Sequence, residues 1–237
     1  DGRMECSVGG YGRTYPVGGS FLGELGYRSM LWGKPSDLIN GYIRPSVGFS
    51  TAGVSNGSRF ELEVAPINLL NFFGGVSAGQ LNATLPGINC DVIGCEGLIT
   101  RSYFGAEALA GAGLFAVSAK FTRTFIKSSL SASAPAGSPW IDPQAYLIFH
   151  SPTGQTDIWM GRLIYRASDK WLFGILAQVG WKTEQADVAQ DGQYAFFRYK
   201  KENYALMAGL GRFNSGDVLP NASAFGYIIW KWPEFYN

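Results

Sequence analysis

The sequence predicts an all-β protein, a transmembrane antiparallel up-and-down β-barrel of about ten strands, within a range of roughly 8–12. Three observations lead there. Apolar and polar residues alternate with period two along most of the chain. The alternating runs are long: Trp171 to Lys182 keeps the pattern throughout, where a globular strand averages about 5–6 residues and a tilted membrane strand needs ~9–11. Charged residues are 16% of the chain, against roughly 25% in an ordinary soluble domain.

Composition excludes several other classes. Glycine supplies 32 of 237 residues, aromatics 15%, and the net charge is +1. A polybasic nucleic-acid binder, an acidic disordered chain and a collagen-like repeat are all ruled out. No transmembrane helix is expected. The longest charge-free run, Val64 to Cys90, is broken by Pro66, Pro86, Gly74, Gly75 and several amides, and a spanning helix needs about 20 mostly apolar residues. The opening Asp1-Gly-Arg-Met-Glu lacks the apolar core of a signal peptide. The chain is therefore read as cytosolic or already mature.

The elements follow in order. Residues 1–16 read as an N-terminal segment, and 17–237 as one barrel domain. Over 20–33, Phe21, Leu25, Tyr27 and Leu31 share one face and Glu24 and Arg28 the other. Lys34-Pro35-Ser36-Asp37 is a turn. Over 38–52, Ile39, Ile43, Pro45, Val47 and Phe49 oppose Asn40, Tyr42, Arg44, Ser46 and Ser50. An Asn56-Gly57 turn leads to Phe60, Leu62 and Val64, which alternate with Arg59, Glu61 and Glu63. Later, Phe115, Val117, Ala119, Phe121 and Phe125 oppose Ser118, Lys120, Thr122 and Thr124. Over 157–167, Trp159, Leu163 and Tyr165 oppose Arg162 and Arg166. After the turn Ser168-Asp169-Lys170, Trp171, Phe173, Ile175, Ala177, Val179 and Trp181 form one apolar face, opposite Gly174, Gln178, Gly180 and Lys182. Further strands are expected at 98–110, 144–150, 193–200, 203–213 and 222–233. Long loops fall near 80–97, 127–143 and 184–192, the second read as a surface loop for its Ser, Ala and Pro content.

Period two alone does not say which face meets water. A soluble barrel or sandwich puts its apolar face inward, and a membrane barrel inverts it. The tryptophans favour inversion. Trp171 and Trp181 lie on one face ten residues apart, which at ~3.3 Å per residue and a tilt near ~40° spans about 25 Å of membrane normal, the height of the apolar band between aromatic girdles. Trp159, Trp230 and Trp232 are further girdle candidates. The opposite face mixes small residues with both signs of charge. Its lumen-facing candidates are Glu24, Arg28, Arg44, Glu61, Glu63, Lys120, Arg162, Arg166 and Lys182.

With those features the chain resembles a bacterial outer-membrane β-barrel over almost all of 17–233. The resemblance is one of pattern, without a subfamily motif. The aromatic-rich Phe225-Gly226-Tyr227-Ile228-Ile229-Trp230-Lys231-Trp232 resembles the closing strand of that class, although Pro233 ends it early and Asn237 replaces the usual terminal aromatic. The resemblance implies a mature chain in the outer membrane, in contact with outer-membrane lipids and lipopolysaccharide, with short turns on the periplasmic side.

No catalytic residue, metal or cofactor is assigned. His150, the only histidine, directly precedes Ser151, and adjacent strand residues point to opposite faces, so the two do not form a nucleophile–base pair. The paired carboxylates Glu61 and Glu63 share a face with Arg28, Arg44, Arg59 and Lys120, which favours ion pairing over acid–base work. The glycine-rich stretches lack the Gly-Lys-Ser/Thr ending of a phosphate loop. Cys90 and Cys95 flank a short loop that suits a disulfide ring, with two free thiols as the alternative; Cys6 is the odd cysteine. The basic run Arg198, Lys200, Lys201 near a hairpin tip reads as a solvated turn or a contact for lipid phosphates. The expected role is a narrow, porin-like channel or a structural membrane component, not an enzyme. The alternative is a barrel-anchored scaffold whose loops or N-terminal segment bind another envelope protein. Lower-ranked are a lipid-modifying barrel enzyme and a soluble lipocalin-like binder.

Overall fold

The computed structural model describes residues 2–14, 17–34, 37, 39–52, 55–81, 94, 96–130, 138–142, 147–183, 188–215 and 218–232. Among them are β1 (Gly2–Thr14), β2 (Val17–Trp32), β3 (Gly41–Thr51), β4 (Ser55–Ile67), β5 (Leu70–Leu81), β6 (Gly97–Ala112) and β7 (Phe115–Leu130). Two short strands follow, β8 (Trp140–Asp142) and β9 (Leu147–Phe149). The chain ends with β10 (Thr153–Arg166), β11 (Trp171–Lys182), β12 (Gln190–Lys201), β13 (Tyr204–Ser215) and β14 (Val218–Lys231).

Twelve of these strands close into a barrel, with every neighbouring pair antiparallel and β1 hydrogen-bonded to β14. Closure gives every wall strand two hydrogen-bonded neighbours, so the wall has no free edge strand. β8 and β9 form a separate two-stranded hairpin between β7 and β10. The turns β4–β5, β6–β7 and β12–β13 are two residues each and lie at the end of the barrel that carries both termini. The β6–β7 turn is made possible by Gly113, whose φ of 59° suits a residue without a side chain. Pro66 sits where the β4–β5 register shifts, between Val64 and Ile67, so its missing N–H breaks no ladder bond.

The alternation is preserved strand by strand, with the apolar face outward. Phe21 is 74% exposed, Leu210 71% and Phe49 67%. Such a belt of bare side chains has lipid as its natural solvent. At the end with the termini, outward aromatics touch in a continuous series: Phe173, Trp171, Tyr199, Tyr204 and Trp230. Phe115 and Tyr165 form a separate outward pair beside it, Tyr165 being the register partner of Phe173. Trp232 follows the last strand, its amide donating to the Cys6 carbonyl. Trp181 lies at the other end of β11, and Trp159 packs on Phe121 nearer that end.

Three expectations are corrected. The segment 1–16 is not outside the barrel: Gly2–Thr14 is β1, with Arg3, Glu5, Ser7 and Arg13 alternating with Met4, Cys6 and Val8. Glycines at 9, 10 and 12 blur that alternation in the sequence. Leu70–Leu81, for which alternation gave no expectation, is a further wall strand, β5, obscured by Gly74 and Gly75. Conversely, 144–150 is not a wall strand and 127–143 is not a surface loop throughout. β7 extends to Leu130, and the hairpin β8–β9 folds into the barrel mouth, where Trp140, Ile141, Leu147 and Phe149 are all buried. Those four apolar side chains need cover, and the barrel interior supplies it. Cys90 and Cys95 lie outside the described residues.

Candidate channel interior

Inward residues on β1–β5 form one ion-paired wall. Arg44 on β3 is its centre. Its Nε donates to Glu5 Oε2 at 2.8 Å, its Nη1 stands 3.5 Å from Glu63 Oε2, and its Nη2 donates to Glu24. Glu5 also meets Arg28 at 3.2 Å and Arg3 at 3.1 Å, and Glu24 also receives Arg59. Tyr42 and Asn71 donate to Glu63 Oε1 at 2.6 and 2.8 Å. Tyr103 on β6 donates to Glu61 Oε2 at 2.8 Å. Arg44 is 12% exposed along its side chain, so its charge is held by shared carboxylates rather than by bulk water.

The opposite wall is different. Leu176, Tyr194, Phe196 and Phe213 pack together on its inner face, with Met160, Ile164, Met207 and Phe225 against them. Glycines give these rings room. A Cβ on Gly174 would stand 2.6 Å from Phe196, and one on Gly209 would overlap the Phe225 ring. Between the two walls stand Lys120 on β7 and Arg162 on β10. Lys120 lies over the Phe73 ring at 4.5 Å. Arg162 reaches Glu107 at 3.4 Å.

The hairpin seals part of the mouth. Trp140 stacks on Phe149 at 4.8 Å and packs with Ile99, Ile126, Leu147 and Ala189. Asp142 accepts from Arg101 of β6 at 2.6 Å, both side chains under 10% exposed. Lys182 of β11 donates to the Ile148 carbonyl at 2.7 Å, and Trp140 Nε1 to the Ser151 carbonyl at 2.6 Å. Below the hairpin lies a cavity of about 690 Å³. Its lining carries Arg13, Arg59, Arg101, Lys120 and Arg162, the acids Glu24, Glu61 and Asp142, and hydroxyl or amide groups such as Thr122, Thr156 and Gln178.

The lumen-facing candidates separate by position. Glu24, Arg28, Arg44, Glu61 and Glu63 lie in or beside the ion-paired wall. Lys120 and Arg162 face the cavity, and Lys182 anchors the hairpin. Arg166 ends β10 as an exposed rim residue near the termini. Sequence reading missed Glu5, Glu107, Arg101 and Asp142. Glu5 was hidden with β1, and Asp142 lay in a segment read as surface loop. Among the described residues no cluster of three or more metal-ligating side chains occurs. His150 is an exposed rim residue beside the hairpin.

A closed antiparallel wall, a lipid-facing apolar belt, an aromatic girdle and a polar, charged interior define a membrane-spanning β-barrel of the bacterial outer-membrane class. Solved structures share the fold. The KdgM porin in complex with disordered oligogalacturonate superposes with a TM-score of 0.53 at 9% identity, over 97% of this chain and 99% of that one. The KdgM porin itself gives 0.51 at 10% identity, over 97% and 99%. The NanC porin gives 0.48 at 10% identity, over 96% and 100%. The likeness is one of fold. No family model matches the sequence, and no curated protein matches it.

Proposed function

We propose that the protein is a narrow, porin-like channel of the outer membrane. One observation carries this reading: the barrel encloses a cavity of about 690 Å³ lined by charged and hydroxyl side chains. An interior built only to hold the fold would close on itself, as the apolar cluster around Phe213 does. The ion-paired wall narrows the bore and the hairpin narrows its mouth. Passage is therefore confined to small solutes and ions, and a wide aqueous pore is excluded by the filling of a twelve-stranded lumen. Outer-membrane lipids are the partners of the belt. The outward ion pairs Arg123–Asp157 and Arg212–Asp191 lie at the level of Trp181, where lipid headgroups begin.

The test is single-channel recording of purified protein in a planar bilayer. Discrete steps are expected, with a conductance altered by Glu61→Ala. Stable insertion without steps would overturn the channel reading and leave a plugged barrel.

A further inference from the structure

We infer that the cavity below the hairpin is an anion-selecting subsite, with Lys120 and Arg162 as the residues that set the selectivity. The inference rests on the channel reading and deepens it. Five basic and three acidic side chains line the cavity. The acids are already engaged. Glu24 is shared by Arg44 and Arg59, Asp142 is held by Arg101, and Glu61 accepts from Tyr103 beside Arg59. With Arg59 and Arg101 paired to those acids, and Arg13 of β1 stacked over the Phe213 ring, the remaining cations of the lining are Lys120 and Arg162, on β7 and β10.

Lys120 and Arg162 are diagonal neighbours there. Lys120 is the register partner of Met160, two residues before Arg162 on the same inner face. Glu107, the register partner of Lys120, is the acid that meets Arg162, and that contact is long at 3.4 Å. Lys120 makes no ion pair among the described residues; its ammonium rests on the Phe73 ring instead. The Arg162 side chain keeps 31% of its surface exposed to the bore beyond its contact with Glu107. Arg162 thus holds the carboxylate beside it, and the Lys120 charge is left without an acid among the described residues. A passing anion can offset the Lys120 charge, whereas a cation meets repulsion. Low-dielectric walls on the Phe213 side strengthen the effect. The chemical class selected is a small anion such as chloride, a carboxylate or a phosphate.

The experiment is a zero-current potential in a planar bilayer under a tenfold KCl gradient, on the native chain and on K120E/R162E. The native protein is expected to favour chloride over potassium by about threefold or more, and the double variant to favour potassium. Lys120→Gln is expected to lie between. Native steps that prefer potassium, or that show no preference, overturn the anion inference and leave the channel standing. Anion preference retained in K120E/R162E, with its β-type circular dichroism intact, overturns the assignment to these two residues. Should the double variant fail to fold, Lys120→Gln decides: a lowered chloride preference supports the assignment, and an unchanged one overturns it. Absence of steps in the native protein overturns the channel reading and this inference with it.

Discussion

Ala177 and Gln178 are adjacent residues of β11 with opposite surroundings. Ala177 is exposed on the lipid face, between Gly161 and Gln193 of the flanking strands, and Gln178 lines the cavity. Ala177→Arg puts a guanidinium into the mid-bilayer and should cost roughly 2–4 kcal/mol, while Gln178→Arg should be tolerated far better. Urea unfolding from lipid vesicles measures both, and equal costs would reverse the facing of the wall. Gly174, three residues earlier, faces inward beneath Phe196, and a Cβ there would overlap the Leu163 carbonyl. Gly174→Val should destabilise by about 1–3 kcal/mol through overpacking, measured by the same unfolding. Faces of this kind were legible in the sequence, because a two-residue period assigns each side chain to a side. Partners were not. That Arg44 gathers Glu5, Glu24 and Glu63 depends on strand register, which turn lengths and bulges decide.

At the scale of the element, the hairpin β8–β9 is the part that sequence reading misjudged, and it is the part that shapes the mouth. Its six strand residues interrupt the period-two pattern with an acid among apolar side chains, Trp140-Ile141-Asp142 and Leu147-Ile148-Phe149. Such short runs do not distinguish a wall strand from an inserted one. What fixes the hairpin inside is a buried ion pair and a lysine on a carbonyl, and both arise from long-range closure. Removing one member of a buried pair strands the other charge. Arg101→Ala should therefore cost about 3–5 kcal/mol of hairpin docking, whereas Arg101→Met with Asp142→Leu should restore most of it. Single-channel recording reads the consequence: larger or noisier openings in Arg101→Ala, and native-like openings in the double variant. Unchanged openings in Arg101→Ala would mean that the apolar stack of Trp140 on Phe149 holds the hairpin without the charge. β1 and β5 were missed for another reason. Their glycines remove the apolar mark from one face while leaving the backbone free to pair, so the wall has twelve strands where alternation alone counted about ten.

The whole molecule has two unlike ends. Both termini and the β4–β5, β6–β7 and β12–β13 turns lie at one end, and the two longest connections, β5–β6 and β7–β10 with its hairpin, lie at the other. The end with the termini also carries the continuous aromatic series from Phe173 to Trp230. In barrels of this class short turns face the periplasm and long loops face outward. The structure thereby predicts an orientation that any channel function depends on, since the hairpin then guards the external mouth. Thr183, exposed just beyond β11, lies at the proposed external end, and Ser168, exposed in the β10–β11 turn, lies at the periplasmic end. In a background with Cys6, Cys90 and Cys95 changed to serine, Thr183→Cys should react with a membrane-impermeant maleimide on intact cells. Ser168→Cys should react only after the outer membrane is permeabilised. The reverse pattern would invert the barrel, place the hairpin at the periplasmic mouth and move the proposed anion subsite to the exit side of the path. Labelling of both on intact cells would mean that the wall does not seal the membrane, and the lipid-facing belt would then need another partner.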